Sequence, residues 1–246
     1  GGINPITSLT ASAKLAIEAN ITTTGDQTYQ SQITGTTFTL AGDAVTFEDT
    51  VSTTGALTVT NSGVLTIADG ATISADGGFT QSGGGSASGG AVNLGADIIT
   101  VDSNISIAGA LTLLADTSTS TAAIQTIELA TDSGAGNISL ASVSGTDAGV
   151  NNSLSLISGT GTTTVTGAIG GITLLGLQDT DATGTVSLQG DVTVGGISTA
   201  AAAYDISLLG GTNDVTDAMT FLNSGVVTLG NGDSDSLLFR GGLIAT

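Results

Sequence analysis

One short phrase recurs from end to end of this chain. Aliphatic residues alternate with Thr or Ser over about four residues, and Gly, Asp or Asn follows. Examples lie at residues 37–40, 44–47, 64–67, 110–113 and 226–229. Alternation with a period of two indicates a half-buried strand, and the Gly, Asp and Asn breaks indicate turns. No stretch has the 3.6-residue period of a helix, so the sequence predicts an all-β fold of many short strands.

The choice among β architectures depends on which side chains are available for a core. The chain has five Phe, two Tyr and no Trp, so bulky residues for the core of a β-sandwich are scarce. Repeated medium-sized aliphatic residues suit a parallel β-helix, in which like stacks on like from coil to coil. The 38 Gly fit its corners. We therefore predict a β-solenoid of about a dozen coils of about 20 residues, a rod about 55–60 Å long.

The sequence also contains a repeat that is much longer than one coil. Residues 1–9 resemble residues 170–177, and residues 17–25 resemble residues 188–196. The spacing predicts about one and a half copies of a unit of about 170 residues. We expect residues 1–246 to form a single continuous solenoid segment that belongs to a longer array.

The charge and the missing residue types exclude several classes of function. Two basic residues face 21 acidic ones, for a net charge of -19, so binding to nucleic acid or to an anionic membrane surface is not expected. Without His or Cys the chain has no His-dependent nucleophile, no ordinary zinc site and no disulfide. No apolar run approaches the length of a membrane span, so membrane insertion is not expected.

Two pairs of acidic residues are candidates for a metal site. Asp179 and Asp181 form one pair, and Asp233 and Asp235, close to Gly230 and Gly232, form the other. Carboxylate oxygens in a Gly-rich turn are ligands that Ca²⁺ accepts. The alternative is that these residues are solvated acids at corners of the solenoid. We expect no cofactor, with Ca²⁺ as the alternative.

Catalysis and ice binding are two more distant alternatives. Two carboxylates suffice for glycoside hydrolysis, but a chain without Trp and with a single Arg lacks sugar platforms and cations, so we predict that it is not an enzyme. Thr-x-Thr pairs such as Thr22/Thr24 and Thr58/Thr60 could order water, although they follow no constant spacing and exposed Thr is common in strands.

The Tyr residues and the two cations are candidate contacts with partners. Tyr29 and Tyr204 could be exposed contacts for a glycan or a receptor, or they could pack in the core. Lys14 and Arg240 could each form a salt bridge to another chain, although a surface ion pair contributes little stability by itself.

Three phrases carry a resemblance to a known family. Residues 22–29, 165–171 and 221–230 resemble segments of giant bacterial β-strand-repeat surface proteins, which are similar to filamentous-haemagglutinin-type adhesins. The resemblance implies a right-handed parallel β-helix, export to the bacterial cell surface, and a role in adhesion, matrix or fibres. We therefore expect a structural shaft that contacts itself head to tail or laterally. The alternative is a module that binds host or matrix glycans or a receptor.

Overall fold

A computed structural model describes residues 6–83, 90–115, 125–146, 152–178 and 183–245, and in these ranges the chain forms strands and turns without a helix. The strands are β1 (Leu9–Ala11), β2 (Leu15–Ile17), β3 (Ile21–Thr22), β4 (Gln27–Tyr29), β5 (Ile33–Gly35), β6 (Phe38–Gly42), β7 (Val45–Phe47), β8 (Val51–Thr53), β9 (Leu57–Asn61), β10 (Leu65–Ile67), β11 (Ile73–Ala75), β12 (Phe79–Gly83), β13 (Val92–Leu94), β14 (Ile98–Ile99), β15 (Ile105–Leu113), β16 (Gln125–Ala130), β17 (Ile138–Gly145), β18 (Asn152–Ile157), β19 (Thr162–Val165), β20 (Ile169–Leu177), β21 (Thr185–Leu188), β22 (Val192–Thr199), β23 (Asp205–Leu208), β24 (Thr212–Val215), β25 (Met219–Phe221), β26 (Val227–Leu229), β27 (Ser236–Phe239) and β28 (Leu243–Ala245).

The strands wrap around a single core as three faces. At the start of the chain each strand pairs in parallel with the third strand after it, as in β1 with β4, β2 with β5 and β3 with β6. Face 1 holds β1, β4, β7, β10, β13, β24 and β27; face 2 holds β2, β5, β8, β11, β14, β16 and β18; face 3 holds β3, β6, β9, β12, β19, β21, β23 and β26. Strands β25 and β28 form a separate two-stranded sheet that lies beside β22 at the end of face 2. Four longer strands continue across a corner: β15 and β17 join face 3 to face 1, and β20 and β22 join face 1 to face 2. The prediction of a parallel β-solenoid is confirmed.

The solenoid has about ten turns, fewer than the dozen expected. One inward position of face 1 passes through Leu9, Gln27, Val45, Leu65, Val92, Leu111, Val143, Ile169, Val192, Asn213 and Leu237. Successive positions are 18 residues apart at Gln27 and Val45 but 32 apart at Leu111 and Val143. Residues added at the corners lengthen a turn without changing the register of its strands. At one strand spacing per turn, ten turns extend about 48 Å.

The core consists of stacked inward side chains, and it runs without a break from Ile17 to Phe221. Aliphatic residues of one turn stack on aliphatic residues of the next, as Leu40 does on Val59 in face 3. Aromatic residues join the same stacks, and the rings of Tyr29 and Phe47 lie 5.7 Å apart in stacked geometry. Few aromatic residues are needed, because the interior is narrow and medium-sized side chains fill it.

The outward position at the middle of face 3 carries an unbroken ladder of hydroxyl groups. Its members are Thr39, Thr58, Thr80, Ser106, Ser139, Thr164, Ser187, Ser207 and Thr228. Each lies one strand spacing from the next, where like side chains pair across strands. The Thr and Ser of the recurring phrase are therefore the solvent side of the same strands whose aliphatic residues form the core.

Glycine is required at the corner between faces 2 and 3, where two turns approach closely. The N–H of Gly77 donates to the carbonyl oxygen of Gly55 at 3.1 Å. A Cβ added at Gly77 would lie 2.6 Å from the carbonyl carbon of Gly55 and 2.7 Å from the nitrogen of Ala56. No side chain fits between these two backbones, although Gly77 itself is exposed.

Thr163 is a polar exception in the core of face 3. It lies between Ile138 and Val186 with 1% of its surface exposed, and its hydroxyl has no hydrogen-bond partner. Replacing Thr163 by Val keeps the branched shape and removes the unsatisfied group, so we expect Thr163→Val to raise the free energy of unfolding by about 1 kcal/mol. Urea denaturation followed by circular dichroism measures the change.

The neighbouring residue provides the control for this substitution. Thr164 points outward in the hydroxyl ladder, so Thr164→Val should change the free energy of unfolding by less than about 0.5 kcal/mol. A Thr163→Val protein that is no more stable than the unmodified chain would contradict the expected cost of the buried hydroxyl.

Candidate functional site

Several acidic side chains hold neighbouring turns together at the corners. The Oδ1 atoms of Asp97, Asp191 and Asp205 accept hydrogen bonds from the backbone N–H groups of Glu128, Thr212 and Val226 at 2.8, 2.9 and 2.7 Å. In each case the donor occupies the equivalent position in the next turn. Asn137 acts in the same way toward the N–H of Thr162 at 2.7 Å. These side chains satisfy backbone groups where the chain enters a strand, which the strand ladder itself does not reach.

The predicted calcium residues fall in two places. Asp233 and Asp235 lie in the exposed connection between β26 and β27, where Oδ2 of Asp235 accepts the N–H groups of Asn231 and Gly232 at 2.6 and 2.9 Å. Asp235 thus closes a local turn. Asp179 and Asp181 lie outside the described residues. Across the described ranges, no group of three or more His, Cys, Asp or Glu residues is placed to hold a metal ion. Binding of Ca²⁺ stays a prediction.

Both Tyr residues are in the core, so their interpretation as exposed contacts is wrong and their interpretation as core residues is confirmed. Tyr29 is 1% exposed and Tyr204 is 0% exposed. The Tyr29 hydroxyl donates to Oε1 of buried Gln27 at 2.8 Å, and burial raises the pKa of Tyr29. The Tyr204 hydroxyl donates to the Leu177 carbonyl and accepts the N–H of Ala200. The alternating phrase at residues 27–29 could have revealed the inward position of Tyr29.

The two cations differ in their surroundings. Nε of Arg240 donates to Oδ1 of Asp214 at 2.8 Å, and a terminal guanidinium nitrogen donates to Oδ2 at 2.6 Å. This exposed pair joins adjacent turns of one chain, and a salt bridge from Arg240 to another chain stays a prediction. The guanidinium holds the pKa of Asp214 below its usual range. Lys14 is exposed, and a salt bridge from Lys14 to another chain stays a prediction.

Face 2 becomes a broad surface where the corner beside it straightens. There β16, β18, β20 and β22 are six to nine residues long, whereas the earlier strands of this face have two or three. Two outward columns run side by side across the four strands. One passes through Thr126, Ser153, Leu174 and Gly196, and the other through Glu128, Ser155, Gly176 and Ser198.

A depression of about 150 Å³, the serine cavity, lies between these columns, because Gly176 carries no side chain to fill it. It is lined by Thr126, Ser153, Leu154, Ser155, Leu174, Gly176, Gln178 and Ser198. Ser153 is 1% exposed although its column faces outward, and its Oγ has no hydrogen-bond partner. Nε2 of Gln178 donates to Oγ of Ser198 at 3.0 Å. The described residues of the lining are neutral and rich in hydroxyl groups.

A wider depression of about 440 Å³ lies on the same face. Its lining comprises Ile99, Thr100, Val101, Glu128, Ala130, Asp132, Ser133 and Ile157. Glu128 pairs in register with Ser155, so the two depressions are neighbours along β16 and β18. Burial, reinforced by the nearby charge of Asp97, raises the pKa of Glu128. Neither depression is predicted from the sequence, because both depend on which corner of the solenoid straightens.

The Thr pairs considered for ice binding lie partly in ladders. Thr58 and Thr60 both face outward on face 3, beside Thr39 and Ala41 of one neighbouring strand and beside Thr80 and Ser82 of the other. The second column is therefore mixed in composition. Ice binding stays a prediction.

Any proposal for the function of this chain depends on its fold and on the surfaces described above. The described part of the chain contains no helix long and apolar enough to cross a membrane. A scan against protein-family models, a search of curated proteins and a search of solved structures find no match to this chain.

Proposed function

We propose that this chain is a structural shaft of an extracellular filament or of a giant bacterial surface adhesin. Its work is to provide reach and stiffness, and its partners are further turns of the same kind, either in a longer polypeptide or in copies stacked end to end. The observation that carries the proposal is the in-register stack of about ten turns around one continuous aliphatic core.

The internal geometry of the stack supports this role. Each turn contacts the turns above and below it through parallel strand pairing on the three faces. Such quasi-one-dimensional stacking sets no upper limit to length, since each turn offers the next one strand edges and a mainly aliphatic set of inward side chains. Side chains at the corners add hydrogen bonds from one turn to the next, as between Asp191 and Thr212, so each further turn is held by its neighbour.

The charge also suits an exposed rod. A net charge of -19 distributed along about ten turns keeps parallel rods apart and the material soluble. We propose no catalytic role, because the chain has no His or Cys and its carboxylates at Asp97, Asp191 and Asp205 accept hydrogen bonds from the neighbouring turn.

Immunogold electron microscopy of the native cells tests the proposal. An antibody raised against the folded chain should place gold on fibres or at the outer cell surface, and a strain that lacks the coding sequence serves as the control. Gold confined to the cell interior, or a native protein that behaves as a free monodisperse monomer of this length, would overturn the shaft.

A further inference from the structure

One outward column of face 2 changes from hydroxyl to aliphatic side chains for three successive turns. The members of the column are Thr34, Ser52, Ser74, Ile99, Ala130 and Ile157. The outward column at the middle of face 3, in contrast, consists of Thr and Ser throughout. Strand pairing uses backbone groups, so it does not require aliphatic side chains on the solvent side. Contiguous apolar residues on an outer face are typical of a surface that contacts a partner.

The change of side chain also gives this part of face 2 its shape. Ala130 lies between Ile99 and Ile157, one strand spacing from each. Because an alanine side chain is short, the surface dips between the two isoleucines. Val101, which is 47% exposed, extends the apolar wall toward the corner. These four residues line the wider depression of about 440 Å³, which is called the trough from here on.

The charged residues among the described lining of the trough are both acidic. Glu128 and Asp132 lie two residues before and two residues after Ala130, and both line the trough. Oδ1 of Asp132 accepts the N–H of Ser133 at 2.8 Å. The Glu128 carboxylate has neither a hydrogen-bond donor nor a cation beside it among the described residues. Burial and the charge of Asp97 in the preceding turn raise the pKa of Glu128.

The two cations of this chain lie far along the rod from the trough. Lys14 precedes β2 in the first described turn, and Arg240 follows β27 near the other end. The trough belongs to the turns of β14, β16 and β18, in the middle of the stack. A positive charge beside Glu128 therefore has to come from another molecule.

The complement of this surface is a cation on an aliphatic stem. Lys and Arg side chains bury their methylene groups on apolar surface while the charged group stays at a polar position. Such a stem fits over Ala130 between the two isoleucines, and its charged group reaches Glu128 for a charge-assisted hydrogen bond. The net charge of -19 attracts basic partners from a distance.

We propose that the trough is a docking site for a basic segment of a partner protein, in which one Lys or Arg side chain lies on Ala130 and bonds Glu128. The volume of about 440 Å³ leaves room beyond a single side chain, so neighbouring residues of the segment contact Val101 and Ile157. A second copy of this chain is disfavoured as the occupant, since it also carries a charge of -19. The docking site is additional to the shaft and does not depend on it.

Titration of the isotope-labelled chain with acetyl-trilysine amide tests the site by nuclear magnetic resonance. We expect saturable shifts of backbone signals centred on Glu128, Ala130 and Ile157. The same peptide built from diaminobutyric acid keeps the charges but shortens each stem by two methylene groups, so it should bind at least about threefold more weakly. Equal affinities of the two peptides, or shifts spread evenly over the acidic corners, would leave only diffuse attraction and overturn the proposal.

Two further measurements identify the occupant. Hexylamine that binds as tightly as acetyl-trilysine amide would assign the trough to small amines and overturn the docking of a segment. Shifts of the same signals when the unmodified chain alone is concentrated, abolished by Lys14→Gln, would assign the trough to a second copy and also overturn the proposal. We expect neither result.

Two variants separate binding from folding. Glu128→Gln should weaken the binding of acetyl-trilysine amide at least about fivefold, since it removes the carboxylate and keeps the shape of the side chain. Ile99→Ser should weaken binding about threefold and keep the fold, because Ser74 occupies the same column in the preceding turn. Unchanged affinity in the Glu128→Gln protein contradicts the assigned role of Glu128. If Ile99→Ser fails to fold, the comparison of the two peptides decides the role of the apolar floor.

Similar substitutions outside the trough provide matched controls. Glu48→Gln removes one charge from an exposed Glu, and Val226→Ser removes an aliphatic side chain that is 64% exposed. Both proteins should bind acetyl-trilysine amide with the affinity of the unmodified chain. If Glu48→Gln weakens binding as much as Glu128→Gln does, the peptide follows the net charge and the trough is not its site.

Discussion

Replacing Leu65 by Ala should lower the free energy of unfolding by about 3 kcal/mol. Leu65 is 0% exposed and lies on face 1 between Val45 and Val92. The loss combines the transfer free energy of the removed carbons with the cost of a cavity. The turns above and below are fixed by strand pairing on the three faces, so the site cannot collapse to fill the space. Urea denaturation followed by circular dichroism gives the value.

The adjacent residue is the control for this prediction. Val64 precedes Leu65 in the same phrase but is 37% exposed. Val64→Ala should cost less than about 1 kcal/mol, because it leaves little buried space behind. If the two substitutions cost the same, the aliphatic stack is not what stabilises the turn.

A single methyl group at Gly77 should be at least as damaging as the loss of Leu65. Gly77→Ala places a Cβ within 2.8 Å of three backbone atoms of Gly55 and Ala56, so two turns must separate at the corner between faces 2 and 3. We expect the free energy of unfolding to fall by about 3 kcal/mol or more. This is more than an ordinary substitution costs, because the backbone packing between two turns is broken. The thermal midpoint and the urea midpoint should both fall.

Gly70 separates the effect of close approach from that of backbone conformation. It has a φ of +81°, and nothing lies within 4 Å of an added Cβ. Gly70→Ala therefore carries only the strain of a left-handed residue, about 1–2 kcal/mol. A Gly77→Ala protein as stable as the Gly70→Ala protein would show that the corner adapts and that the close contact is not restrictive.

The alternating phrase predicted the fold because it reports burial directly. In a strand every second residue faces the core, so the Val and Phe of residues 45–47 had to share one side and Thr46 the other. The same rule applied to residues 27–29 places Tyr29 inside. The number of turns is harder to predict from the sequence, since the distance between two strands along the chain does not reveal how many residues lie in the corner.

Corner length also explains why the spacing of Thr along the sequence is a poor guide to the regularity of the surface. Unequal spacing of Thr pairs in the sequence suggests an irregular surface. Thr80 and Ser106 are 26 residues apart and Thr39 and Thr58 are 19 apart, yet all four belong to one ladder. Regularity in a solenoid belongs to the register of the strands, and the connections absorb the difference in length.

The longer repeat meets the same difficulty. Ile21, from the segment 17–25, lies on face 3, whereas Val192, from the similar segment 188–196, lies on face 1. The two segments thus occupy different positions within their turns. The unit of about 170 residues stays a prediction, and the repeat that the structure describes is the turn itself.

The hydrogen bonds between turns run along the long axis of the rod, and this orientation decides how the molecule responds to tension. Force applied to the two ends of the chain is expected to break the parallel strand pairing one turn at a time, starting from an end. A turn of 18 residues releases about 60 Å of extended chain and a turn of 32 residues about 110 Å. The turns with the longest corners therefore yield the most length for each opening. A solenoid built in this way is expected to release chain in steps under a sudden load, while the remaining turns keep their shape.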